Sequence, residues 1–106
     1  MNATPSDAVF AALGDPTRRR LVEALASSSA TATGLAKELP ISRQAVAKHL
    51  SMLASADLVA AERQGRETRY TLRPEPLREV AGWADAVGAE WSDRLRRLER
   101  AVGRRS

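Results

Sequence analysis

Between Leu35 and Leu53 the apolar residues recur at helical spacing, and Pro40 cuts that run in two. Proline has no N–H to donate and restricts the residue before it, so a helix carrying Leu35, Ala36 and Leu39 stops there. Ser42 then stands where an N-cap belongs, and Ala45, Val46, Leu50 and Leu53 resume the helical spacing. The expectation is a short helix capped by Thr33 and running through Glu38, a three-residue break, and a second helix to about Ala56. Two helices so joined form a helix-turn-helix pair. Residues 58–64 and 67–72 read as two strands, and Gly65-Arg66 between them suits a tight II′ turn, with glycine first.

The rest of the chain frames this unit. Residues 8–13 make a short helix capped by Ser6 or Asp7, with Val9, Phe10 and Leu13 apolar and Gly14 at its end. Asp15-Pro16 opens the next helix, because a proline at the first helical position loses no hydrogen bond. That helix runs to about Ala26 with Leu21, Val22 and Leu25 inward, and residues 27–30 form a loop. One long helix then spans about 76–102, where Leu77, Val80, Ala84, Val87, Trp91, Leu95, Leu98 and Val102 recur three or four apart. The fold class expected is mainly α (α+β): about five helices and a two-stranded hairpin, a winged helix-turn-helix. Residues 1–106 are expected to form one unit whose last helix joins two copies, with loose ends at the first residues and at 103–106.

The 106 residues suffice for one modest core. No apolar run approaches the roughly 18–20 residues that a bilayer span needs. The first residues lack the basic-then-apolar pattern of a secretory signal. The absence of cysteine excludes disulfides, zinc–thiolate sites and thiol redox sensing, and fits a cytoplasmic, nucleoid-associated protein. The net charge of +4 is unevenly spread. Residues 1–40 are balanced, residues 41–73 carry net +3, and residues 74–106 carry net +1. The excess therefore lies on the second helix of the pair and on the hairpin, where a positive field attracts phosphate.

The residues on that helix fit this field. With Val46, Leu50 and Leu53 inward, its outer face presents Arg43, Gln44, Ala47 and Lys48. A helix in the major groove needs such reachable side chains near its N-terminus. Arginine matches guanine O6 and N7, and glutamine matches adenine N6 and N7. Lys48 can serve guanine or phosphate. Ser42, at the helix N-terminus, is placed for a phosphate contact beside its capping role. Arg66 at the hairpin tip, flanked by Arg63 and Arg69, suits a minor groove or a phosphate clamp. The plainer alternative for all of them is a solvated face. His49, the sole histidine, sits at the edge of the apolar stripe as a packed or phosphate-touching side chain, with no second histidine to share a metal.

These segments, in this order, resemble the ArsR/SmtB family of bacterial winged-helix repressors. The likeness rests on Phe10 through Leu21, on Leu35 through Leu39 with Ser42 through Leu50, and on Leu58-Val59 with Arg63 through Arg66 and Tyr70 through Leu72. It covers about residues 8–102. It implies a homodimer, joined through first and last helices, that binds an inverted repeat in double-stranded DNA near its own promoter until a signal releases it. The base-reading positions it implies are Arg43, Gln44, Ala47 and Lys48, with alanine at 47 where serine is frequent. The dimer contacts it implies are Phe10, Val80, Ala84, Val87, Trp91, Leu95 and Leu98. Metal-sensing members carry a Cys-x-Cys on the third helix or Asp/His sets on the last helix. This chain has neither, and Asp85, Glu90 and Asp93 read as solvated helix charges. Trp83-x7-Trp91 followed by Arg94 through Glu99 resembles a metal-free branch, whose regulators often neighbour a gene for a small hydrophobe-binding domain.

No Cys–His pair, nucleophile elbow or glycine-rich phosphate loop is present, so neither an enzyme nor a cofactor is expected. Two other readings remain at this point. A winged helix can dock a partner protein, although Arg43, Lys48 and Arg66 favour a polyanion. An unknown small-molecule effector can also sit by Trp83 or Trp91, where Ala84 and Gly88 leave space; the alternative is that both tryptophans only build the dimer core.

Overall fold

The computed structural model of the chain describes residues 4–103, so the expected loose ends at 1–3 and 104–106 lie outside the described residues, while Gly103, expected with that tail, is the last residue of a helix. The first helix, α1 (Asp7–Leu13), is capped by Ser6, whose hydroxyl accepts from the Val9 N–H. Asp15 caps α2 (Pro16–Ser27), accepting from the Arg18 N–H at 3.0 Å, with Pro16 at the first helical position. The recognition-type pair is α3 (Ala32–Ala36) and α4 (Arg43–Ser55). Strands β2 (Val59–Gln64) and β3 (Glu67–Leu72) follow, and α5 (Glu75–Gly103) ends the chain.

Three details differ from the sequence expectation. The cap of α3 is Thr31, whose hydroxyl accepts from the Gly34 N–H at 3.1 Å, not Thr33. Helix α3 ends at Ala36, so the break before α4 is longer than three residues. The third detail concerns the sheet, which has three strands, not two: β1 (Ala30–Thr31) pairs antiparallel with β3, and the order is β1-β3-β2. A two-residue strand is too short to show the alternation that marks a strand in sequence. Its anchor is a side chain, since Arg69 Nη1 donates to both the carbonyl and the hydroxyl of Ser29 at 3.1 Å.

The wing follows the expected register. Val59 faces Leu72 and Gln64 faces Glu67, which leaves Gly65-Arg66 as a two-residue loop. Gly65 has φ +63° and Arg66 does not have a positive φ, as a turn with glycine first requires. At the other end of β2, Asp57 takes φ +59° and closes α4. Leu58 N–H donates to the Leu53 carbonyl and Asp57 N–H to the Ala54 carbonyl, the paired bonds of a Schellman stop. Leu53 and Leu58, which such a stop brings together, are both fully buried.

The core lies under α4. Leu21, Val46, Leu50, Leu53 and Leu58 are its most deeply buried large side chains, with Val9, Val22, Leu25, Leu35 and Val59 around them. Helix α5 behaves differently. Leu77 and Val80 pack against this core, and Phe10 meets Trp83 edge-on with ring centroids 5.0 Å apart. Beyond Trp83 every described residue is exposed, and no residue of the 29-residue helix is fully buried. At ~1.5 Å per residue the helix is ~43 Å long, which accounts for an overall extent of 70 × 30 × 22 Å. None of the described helices is long and apolar enough to cross a membrane.

Candidate nucleic-acid interface

The N-terminal turn of α4 is where sequence chemistry and geometry meet. Ser42 Oγ accepts from the Ala45 N–H at 3.1 Å, which satisfies one orphan donor and fixes the start of the helix. Burial of Val46, Leu50 and Leu53 then forces Arg43, Gln44 and Lys48 outward, and all three are exposed. Ala47 is half-buried on the same side.

The wing folds toward this face. Arg43, Gln44 and Ala47 of α4 line one cleft of about 310 Å³ together with Arg66, Glu67 and Thr68 of the hairpin. Thr31, Ala32 and Thr33, at the start of α3, and Tyr70 complete its walls. Helix and wing thus present two arginines and several hydroxyls to a shared groove. The structure brings Arg43, Gln44, Ala47 and Arg66 together. Ser42 and Lys48 stand exposed on α4 outside the cleft lining. Arg63 curls back on the turn, with Nε donating to the Gly65 carbonyl at 3.0 Å. Arg69 is half-buried and its Nη1 is held by Ser29, so this arginine ties the sheet together.

Sequence reasoning did not place Thr31, Thr33, Glu67, Thr68 or Tyr70 at this interface; it offered Thr33 only as a helix cap and Tyr70 only as part of the wing. Strand β1 carries Thr31 into the cleft, and β1 left no periodic signal. Glu67 did carry a signal, since it directly follows the Gly65-Arg66 turn and so must lie beside the tip. Arg18 was missed too. Its Nε and Nη2 donate to the Ala12 and Ala11 carbonyls at 2.8 and 3.2 Å, while Nη1 reaches His49 Nδ1 at 3.3 Å and Met52 Sδ at 3.4 Å. One guanidinium therefore ties the unsatisfied end of α1 to the back of α4. The Arg18 N–H holds the Asp15 carboxyl below its ordinary range; partial burial opposes this, and the Arg18 guanidinium and His49 reinforce it. His49 thus packs against Arg18, with Asp15 Oδ2 4.0 Å from its Nδ1. Among the described residues, no three Asp, Glu or His side chains converge as a metal site.

Comparison with known proteins agrees with this geometry. Residues 13–61 match the model of a helix-turn-helix domain. The chain is 35% identical to the HTH-type transcriptional regulator Rv2034 of Mycobacterium tuberculosis, covering 82% of this chain and 92% of that protein. It is 32% identical to the transcriptional repressor SdpR of Bacillus subtilis, covering 71% of this chain and 83% of that protein. Among solved structures, an ArsR-like transcriptional regulator from Rhodococcus sp. RHA1 superposes with a TM-score of 0.80 at 40% identity, covering 90% of this chain and 87% of that one. An α4 with a cationic outer face, a basic wing beside it and these relatives lead to one conclusion: the chain belongs to the ArsR family of winged helix-turn-helix, DNA-binding transcriptional regulators.

Proposed function

We propose that the protein is a homodimeric repressor that binds an inverted repeat in its own promoter. The observation that carries this reading is the shared cleft of α4 and the wing, in which Arg43, Gln44 and Arg66 all take part. In this reading Arg43 and Gln44 contact base edges in the major groove. Ala47 packs over the bases without a hydrogen bond, while Ser42, Lys48 and Arg63 contact phosphate. Arg66 enters the adjacent minor groove or clamps its edge. Arg69 acts first as the tie to Ser29 and adds its charge to the wing's field. The dimer is built on the exposed stripe of α5, through Ala84, Val87, Trp91, Leu95 and Leu98. Phe10 and Val80 contribute where the stripe meets the chain's own core. The repressor name of SdpR supports the sign of regulation.

The test is a panel of operator duplexes with single base changes, measured at two salt concentrations. Arg43→Ala and Gln44→Ala should each lose ~1–3 kcal/mol and relax the preference at one position per half-site. Arg66→Ala should weaken all sequences more evenly and lower the salt slope by about one. Unchanged preferences in both helix variants would remove α4 from the reading role.

A further inference from the structure

The cleft that holds Arg43 and Arg66 also holds an acidic residue. Glu67 is exposed at the first position of β3, directly after the wing tip. Among the described residues no ion pair or hydrogen bond engages its carboxylate, although two arginines line the same cleft. A free carboxylate on a phosphate-facing wall opposes the electrostatic term that drives non-specific binding. It is tolerated where the DNA offers a donor. Phosphates and sugars of duplex DNA offer none, whereas bases offer exocyclic amino groups: cytosine N4 and adenine N6 in the major groove and guanine N2 in the minor groove. Adenine N6 stands between two acceptors, adenine N7 and thymine O4, which repel a carboxylate, so cytosine N4, with an acceptor on one side only, is the better major-groove partner.

We infer that Glu67 is a specificity-determining residue, which accepts a hydrogen bond from a base amino group of a G·C pair in the bound operator and repels the backbone at other sequences. The inference rests on the reading of this cleft as the DNA interface. Arg43 and Gln44 supply positive selection from α4, and Glu67 supplies a penalty from the wing. Discrimination of this kind needs a repulsive element as well as an attractive one. Removing the charge but keeping the shape should therefore strengthen binding to the wrong DNA and weaken the preference for the right one.

The experiment uses the full chain and its Glu67→Gln variant. The DNA probes are a duplex selected by the wild-type protein from random sequence and a scrambled duplex of equal composition. Glu67→Gln should bind the scrambled duplex more tightly, with a salt slope larger by about one. Its ratio of selected to scrambled affinity should fall by about tenfold, the loss concentrated at one G·C pair per half-site. Inosine in place of that guanine removes only the N2 amino group. Loss of the preference in the wild type on inosine assigns the contact to the minor groove. Loss only on replacing the pair by A·T or T·A assigns it to cytosine N4, and either result supports the inference. An equal gain on both duplexes would show a carboxylate that merely opposes the backbone, and would overturn it; so would no change on either. Arg43→Ala run alongside separates the two levels. If it leaves the selected duplex fully preferred, the interface itself is misassigned; if it loses preference while Glu67→Gln does not, only the role of Glu67 fails.

Discussion

Leu50 and Leu98 each sit on a helix, each with an aliphatic neighbour four residues away on the same face, Val46 in one case and Val102 in the other. Leu50 is fully buried, whereas Leu98 is 56% exposed. The first lies on α4, where β2 and helices α1, α2 and α3 close a core around it. The second lies on the outer half of α5, where the chain has nothing left to cover it. Helical periodicity states that a face will be buried, but not by what. In the head of the molecule the covering surface lies within the same 106 residues. Along α5 the exposed stripe runs through Val87, Trp91, Leu95, Leu98 and Val102. Isolated exposed apolar residues are ordinary, but a contiguous row of them marks an interface. The head covers its own core, and the exposed stripe of α5 is the surface that the proposed second copy would bury.

The largest effect is expected on α5. Leu95→Asp places a charge on the exposed stripe, harmless in a lone chain. Between two copies it buries one unpaired carboxylate per chain, each opposing association by ~3–5 kcal/mol. Sedimentation should give a monomer with an unchanged helical spectrum, and a dimer of undiminished affinity would mean that α5 is not the interface. Next in size, Leu50→Ala should lower the unfolding free energy of the head by ~2–5 kcal/mol, because a fully enclosed leucine leaves a cavity. Leu98→Ala, measured in denaturant on dilute monomeric protein, should change it by no more than ~0.5 kcal/mol. Similar losses for the two would show that Leu98 is covered within one chain.

Ser42→Ala acts on the head. It removes the hydroxyl that accepts from Ala45, so the unfolding free energy should fall by ~1 kcal/mol. In DNA binding it should act evenly across sequences, as loss of a phosphate contact does. A base-specific loss would instead make Ser42 a reading residue. The smallest effect is expected from metals. Zinc, copper and nickel favour thiolate or imidazole, and each chain offers one histidine and no cysteine. Anisotropy of the protein–DNA complex should stay constant through a titration. Stoichiometric release, reversed by a chelator and abolished by His49→Ala, would contradict this.

Much of the fold was legible because its signals are local. Asp15 and Ser42 cap the helices that their positions announced, Ser6 is the cap of the two that the sequence offered for α1, and Gly65-Arg66 closes the hairpin at the expected register. The misses share a cause. Strand β1 forms because β3 offers an edge and Arg69 reaches back forty residues to Ser29, a tertiary condition with no local periodicity. The cap of α3 moved from Thr33 to Thr31 because both threonines satisfy the local rule and pairing of β1 selects between them. In the candidate interface, helix periodicity placed Arg43 and Gln44 correctly on the exposed face. That Glu67 and Thr31 line the same cleft depends on how the wing folds over α4, which no window of sequence contains.

The central claim is that paired heads read DNA. It is tested most directly by selecting duplexes from random DNA with the purified protein, sequencing them, and weighing the complex. The account predicts an enriched inverted repeat, with half-sites about one helical turn apart, bound by two chains. A pool without enrichment, or a single half-site bound at full affinity by one chain, would contradict it.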